Sequence, residues 1–186
     1  MSGEWKVLRT ERLILRGPRE ADREPFARLN ADSRVMEFFP SALSREESDA
    51  LLDRIKAHFE QYGFSWCAAE LRESGEFIGF VGLVVPRFEA AFTPCVEIGW
   101  RLAAEFWGLG LATEGARAVV EYAFEELGLK ELVSFTTAAN MRSRRVMEKL
   151  GMTHDAGDDF DHPTLPEGHL QRRHVLYRLS RNQGLD

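Results

Sequence analysis

Hydrophobic residues recur along this chain at two spacings, every second residue and every third or fourth residue. The first spacing is typical of strands and the second of helices that bury one face. Alternation and short apolar runs predict strands over residues 11–16, 65–71, 77–85, 95–102, 132–136 and 174–179. Helical spacing predicts helices over residues 21–30, 44–63, 110–127 and 140–150. The strands between residues 65 and 102 follow one another closely, which predicts an antiparallel meander.

Local signals support three of the helix boundaries. Ser44 and Glu47 form a capping box, and Gly63 and Gly151 stand where the helical spacing stops. Between the last helix and the last strand, Pro163 and Pro166 indicate an irregular loop rich in Asp and His. We expect this loop, residues 155–174, to border a substrate cleft. Phe38 and Phe39 would line its other side, pack in the core or form part of a lid.

The stretch with the most specific chemistry is a strand that runs through a glycine loop into a helix. From Glu97 to Glu114 it reads EIGWRLAAEFWGLGLATE. Glycines let the backbone approach a ligand closely, and the unpaired N–H groups of a first helical turn, with the helix dipole, favour an anion. The residues predict a pyrophosphate site, while a glycine turn that only joins a strand to a helix fits them as well.

Two familiar phosphate motifs do not fit this loop. It lacks the Gly-Lys-Ser/Thr ending of a P-loop. Thr113 stands where a dinucleotide fingerprint needs its third glycine, and the preceding strands favour an antiparallel arrangement over a βαβ unit. Neither a P-loop nucleotide site nor a Rossmann site is therefore indicated.

Three segments carry motifs that occur together in one enzyme family. They read TERLILR from Thr10, EIGW with WGLGLATE from Glu97, and NMRS with MEKLGM from Asn140. Over residues 8–153 the chain resembles the GCN5-related N-acetyltransferase (GNAT) family, and within it the RimJ/RimL-like branch of ribosomal-protein N-terminal acetyltransferases. The resemblance implies an α+β fold, a three-layer α/β/α arrangement whose twisted, mainly antiparallel mixed sheet is splayed at the CoA site.

The resemblance also implies acetyl-CoA as co-substrate and assigns residues to it. The strand near Leu102 would pair with the pantetheine amides, and Asn140 would contact the cofactor arm. The backbone of the loop and first helical turn would hold the pyrophosphate, through Gly108, Leu109, Gly110, Leu111, Ala112 and Thr113.

Two residues are candidates for proton transfer. Glu97, on the strand that enters the loop, is the candidate base, although its face of the strand also fits plain solvent. Many family members place a tyrosine acid on the last helix, where this chain has Met147. The related branch suggests Ser143 as the donor to the departing sulfur, or a water. The alternative for Ser143 is a hydroxyl that bonds near the start of its own helix.

Composition sets the class of protein. With 186 residues, 44% of them hydrophobic, and a net charge of −6, we expect one folded domain over residues 1–186 and no nucleic-acid partner. No apolar run suits a membrane span and Met1 to Lys6 lack a signal-peptide core, so we expect a cytoplasmic protein without a membrane partner. Cys67 and Cys95 are expected to pack in the core, and we expect no metal.

These observations favour an N-acetyltransferase that moves acetyl from acetyl-CoA to a primary amine, either a protein N-terminal α-amine or a small-molecule amine. The alternative is a catalytically silent CoA-binding regulatory module, which the missing tyrosine allows. The sequence leaves open whether the protein is a monomer or a homodimer, and it leaves the acceptor open because function lies in the site and not in the fold.

Overall fold

A computed structural model of the protein describes residues 4–181. Residues 1–3 and 182–186, the two ends of the predicted domain, lie outside that range. Within it, the α-helices are α1 Arg23–Ala31, α2 Arg45–Tyr62, α3 Leu111–Glu125 and α4 Met141–Lys149. The strands are β1 Leu8–Arg9, β2 Leu13–Arg16, β3 Trp66–Leu71, β4 Phe77–Val84, β5 Glu97–Leu102, β6 Glu131–Thr137, β7 Thr153–His154, β8 Phe160–Asp161 and β9 Arg173–Ser180. No helix of the described chain is both long and apolar enough to cross a membrane.

Every helix and strand that the pattern predicts is present, with shifted ends. The cap of α2 is confirmed in detail, since the Glu47 N–H donates to Ser44 Oγ and the Ser44 N–H donates to the Glu47 carboxylate. Gly63 ends α2 with a left-handed φ of 76°, a conformation that costs glycine little. The strands β1, β7 and β8 were not predicted, because two residues are too short for a periodic signal.

The chain divides into two compact units, so the single-domain organisation stays a prediction. The first unit contains described residues 4–84 and 99–119. Its strand order is β1-β2-β3-β4, continued by the part of β5 after residue 98. Antiparallel registers pair Leu13 with Leu71 and Cys67 with Val81. The second pairing confirms the first half of the meander predicted between residues 65 and 102. One core cluster contains Phe26, Leu29, Val35, Met36, Leu52, Ile55, Ala68 and Phe80.

The second unit contains described residues 85–98 and 120–181. Strands β6 and β9 form a long antiparallel pair, and β7 and β8 also pair with β9. Glu97 at the start of β5 pairs with Val133 of β6 in parallel. The sheet is therefore mixed and mainly antiparallel, as the resemblance implied.

Two expectations about particular segments are wrong. The loop over residues 155–174 is not wholly irregular, because it contains a 3-10 turn at Ala156–Asp158 and strand β8. Cys67 and Cys95 are half-buried and not in the core, and Cys95 precedes β5. Burial raises the pKa of the Cys67 thiol to about 12 and that of Cys95 to about 11, so both thiols stay protonated near neutral pH.

Candidate functional site

The glycine loop leads into the N-terminus of α3 with the geometry that an anion site needs. Gly108 and Gly110 have φ angles of 77° and 80°, a region that other residues enter only with strain. Gly110 accepts the first helical hydrogen bond, from the Glu114 N–H at 3.0 Å. The N–H groups of the three residues between them therefore have no partner within the helix. Residues 108–110 before them are exposed, Ala112 and Thr113 are half-buried, and Leu111 is buried.

Thr10 and Arg12, just before β2, hold this loop through hydrogen bonds to Glu114 and Leu109, here called the clamp. The Glu114 carboxylate accepts from Thr10 Oγ1 at 2.6 Å, from the Arg12 backbone N–H at 2.8 Å and from Arg12 Nε at 2.7 Å. Arg12 Nη1 also donates to the Leu109 carbonyl at 2.9 Å. Burial alone would raise the pKa of Glu114, but the hydrogen bonds from Thr10 and Arg12 outweigh burial and lower it. The carboxylate is thus charged and fixes the first turn of α3 to the loop before it.

The end of β5 is also anchored. Trp107 Nε1 donates to the Leu102 carbonyl at 2.8 Å, and the Ala103 N–H donates to the Ile78 carbonyl at 2.9 Å. Trp107 of the quoted WGLGLATE motif therefore has a structural role. The Leu102 carbonyl keeps one lone pair, and its pairing with pantetheine stays a prediction.

Glu97, the candidate base, lies in an environment that favours the protonated form of its carboxyl. Its side chain is half-buried at the start of β5. Burial raises its pKa to about 8, because a charged carboxylate is poorly solvated there. The alternative of plain solvent exposure does not fit this environment. A carboxyl with such a pKa can accept a proton at slightly alkaline pH.

Ser143 and Asn140 lie together at the start of α4. Asn140 caps this helix, since its Oδ1 accepts from the Ser143 N–H at 3.2 Å, and its Nδ2 donates to Thr136 Oγ1 at 3.0 Å. The capping group is therefore Asn140 and not the Ser143 hydroxyl. Asn140 retains one amide N–H for a ligand, and its contact with the cofactor arm stays a prediction.

The predicted residues fall in both units. Leu102 and the glycine loop through Thr113 belong to the first unit, while Glu97, Asn140 and Ser143 belong to the second. Sequence reasoning missed the pairing of Arg12 with Glu114, although both residues lie inside the quoted motifs. A pairing across more than a hundred positions leaves no periodic signal in one sequence.

The loop over residues 155–174 contributes to a half-buried aromatic cluster in the second unit. His162 and His174 lie with ring centroids 5.1 Å apart, and Phe135 and Phe160 pack edge to face at 5.4 Å. Burial lowers the pKa of both histidines, so they are neutral near pH 7. Among the described residues, no group of three or more His, Cys, Asp or Glu side chains is arranged to hold a metal ion.

Comparison with known proteins gives consistent matches. A family model described as Acetyltransferase (GNAT) domain matches residues 12–153. The chain is similar to the FsC-acetyl coenzyme A-N(2)-transacetylase of Aspergillus fumigatus, with 42% identity over 115 residues, 60% of this chain and 48% of that protein. The chain thus spans about half the length of this relative.

Solved structures show the same fold. An acetyltransferase from Agrobacterium tumefaciens superposes with a TM-score of 0.76 at 29% identity and covers 95% of both chains. Mycobacterium smegmatis RimJ, solved in complex with CoA-disulfide, superposes with a TM-score of 0.75 at 17% identity, covering 98% of this chain and 89% of that one. At this low identity the second likeness concerns the fold alone.

Proposed function

Because the chain belongs to the acetyltransferase (GNAT) domain family, we propose that it transfers the acetyl group of acetyl-CoA to a primary amine. The family match confirms the resemblance that the three motifs indicated, and the domain is an N-acetyltransferase domain. The observation that carries the proposal is the exposed glycine loop at the N-terminus of α3. It offers several converging N–H donors to the pyrophosphate of CoA.

The glycine loop suits a ligand bound mainly by backbone. Its donors are main-chain N–H groups, and the dipole of the 15-residue helix α3 adds partial positive charge at the same end. The clamp from Thr10 and Arg12 to Glu114 keeps these donors in place before the cofactor arrives. A pre-organised site of this kind loses less entropy on binding.

We assign the base to Glu97. The amine nitrogen attacks the thioester carbonyl carbon, the new N–C bond forms and the C–S bond breaks. The amine proton passes to Glu97, directly or through a water, and the CoA thiolate takes a proton from Ser143 or from water. A carboxyl with a pKa of about 8 matches an α-amine of reference pKa near 8, so both partners titrate at the working pH.

The acceptor is an amine on a protein N-terminus or on a small molecule. The Aspergillus fumigatus relative is named for acetyl coenzyme A and an N(2)-transacetylase activity, and this supports a nitrogen acceptor. The half-buried aromatic cluster around Phe135 and Phe160 supports a cleft wall that excludes water from part of the acceptor.

A thiol-release assay with acetyl-CoA tests the proposal. The acceptor panel contains peptides with different N-terminal residues, polyamines, amino acids and aminoglycosides, and CoA binding is followed in parallel by calorimetry. Release with one acceptor class supports the enzyme and identifies the amine. CoA binding without release across the panel favours the silent CoA-binding module. Absence of CoA binding overturns the proposal for the glycine loop.

A further inference from the structure

Arg101, next to the predicted pantetheine strand position Leu102, is a buried cation with neutral partners. Arg101 is only 8% exposed. Its Nη1 donates to Asn30 Oδ1 at 2.6 Å, and its Cζ lies 4.1 Å from the centroid of the Phe39 ring. Burial lowers its pKa to about 10. Within the described chain no carboxylate forms an ion pair with it.

The other buried arginine of the first unit, Arg16, has carboxylate partners that compensate its charge. Arg16 is 5% exposed and donates to two carboxylates, Glu70 at 2.6 Å and Asp22 at 2.7 Å. A buried charge without a counter-charge is costly, and proteins normally compensate it. Arg101 lies at similar depth in the same unit and lacks this compensation.

Two buried donors point to the missing partner. Arg101 Nε and Trp66 Nε1 are both inaccessible to solvent and have no hydrogen-bond acceptor. The guanidinium carbon of Arg101 lies 5.8 Å from the Trp66 ring centroid, so both side chains lie in the same region of the first unit. Buried donors of this kind are usually satisfied by a protein group, a water or a ligand. An acceptor that also carries negative charge would satisfy both donors and neutralise the cation, and a carboxylate is such an acceptor.

We propose that Arg101 and the Trp66 indole N–H bind a carboxylate of a substrate. The proposal rests on the proposed acetyltransferase function, because Arg101 precedes the β5 residue assigned to the pantetheine. The carboxylate belongs either to the acceptor, as in an amino acid, or to the far end of an acyl group, as in a dicarboxylic acyl-CoA. Phe39, which covers the guanidinium, lies in the turn-rich connection between α1 and α2. A side chain on such a segment moves more readily than a strand.

The first experiment measures carboxylate binding without turnover. The melting temperature is followed with increasing sodium acetate and, separately, with acetamide, both at constant ionic strength. Acetate is expected to stabilise the protein and acetamide is not, because binding to the native state raises its stability. Equal responses to the two probes would overturn the proposal. Since this experiment does not use CoA, its outcome is independent of acetyl transfer.

The second experiment uses the isosteric variant Asn30→Asp. Asn30 is fully buried and its Nδ2 donates to Ser48 Oγ at 2.9 Å. In the variant, the Ser48 hydroxyl can donate to the new carboxylate, which lies against Arg101 and takes the place of the ligand. We expect the variant to lose the response to acetate. If Arg101 has only a structural role, the variant gains stability and responds to acetate like the wild type.

Turnover then identifies the source of the carboxylate. Acetyl transfer is compared between β-alanine and β-alaninamide, and acyl transfer is compared between succinyl-CoA and butyryl-CoA with one amine. The wild type is expected to prefer the carboxylate in one of these pairs by roughly tenfold to a hundredfold, the size of a charge-assisted hydrogen bond. The preference is expected to disappear in Asn30→Asp and to weaken in Trp66→Phe.

Arg28→Gln provides the matched control, since it removes the same charge from an arginine whose side chain is 68% exposed. This control is expected to keep the preference of the wild type. A wild type that shows no preference in either pair, while it acetylates β-alaninamide, contradicts the carboxylate site and leaves the acetyltransferase function in place. A chain that releases no thiol with any amine of the acceptor panel contradicts the proposed function instead.

Discussion

Replacing Glu114 with Gln tests how the glycine loop is held. The substitution keeps the shape of the side chain and removes its charge. Gln can still accept from Thr10, but its NH₂ group faces Arg12 Nε, which is also a donor. Arg12 then loses the partner that holds it against the Leu109 carbonyl. We expect the loop to loosen and CoA to bind more weakly.

The magnitude follows from the exposure of the two partners. Arg12 is 47% exposed and Glu114 is 17% exposed, so solvent screens much of their attraction. An exposed pair contributes about 0.2–1 kcal/mol, and the bonds from the Arg12 backbone and Thr10 to a charged group add about 1.5–3 kcal/mol at most. The two contributions total about 2–4 kcal/mol, which corresponds to a fall in Tm of about 4–16 °C for a chain of this size. The CoA dissociation constant is expected to rise by up to about tenfold.

Calorimetric titration of CoA and thermal unfolding measure the two effects separately. The matched control is Glu125→Gln, at the other end of α3, whose partner Arg181 lies 3.4 Å away on the surface. This control is expected to leave both quantities nearly unchanged. A Glu114→Gln protein that unfolds earlier but binds CoA within about twofold of the wild type would refute the argument that the clamp positions the loop.

Three further predictions concern the proposed chemistry. Glu97→Gln should remove a rise in kcat/KM centred near pH 8. It should also stabilise the protein more at pH 9 than at pH 5, because a carboxyl whose pKa is raised by folding costs stability as pH rises above its unfolded pKa. Identical profiles of kcat/KM against pH for the variant and the wild type would contradict the base assignment. Ser143→Ala should lower kcat by less than about a hundredfold, since a thiol of reference pKa near 8.5 leaves without much help; stopped-flow thiol release measures this, and an unchanged kcat excludes the acid. Gly110→Ala should weaken CoA binding in titrations. The control Gly75→Ala has a similar φ of 72° and no atom within 4 Å of the added Cβ, so its backbone strain should lower Tm without changing CoA affinity. Equal CoA affinities of the two variants would exclude the loop as the binding site.

The local elements of this protein follow from the sequence because their signals are local. The capping box of Ser44 and Glu47 depends on residues three positions apart, and the buried stripe of α3 repeats every three or four residues. The glycine loop before α3 was predicted for the same reason. Strand β8, by contrast, is defined by its partner β9 and not by its own two residues.

The sequence by itself determined the helices, the long strands, the glycine loop and the family. Only the tertiary structure decided the environment of the charged groups. In the folded protein Glu97 is a half-buried carboxyl with a raised pKa. Glu114 accepts the hydrogen bonds of the clamp, and Arg101 is a buried cation without a counter-charge. The physical reason is that burial and charge pairing depend on residues far apart in sequence. Contacts between such distant residues leave no periodic pattern in a single sequence.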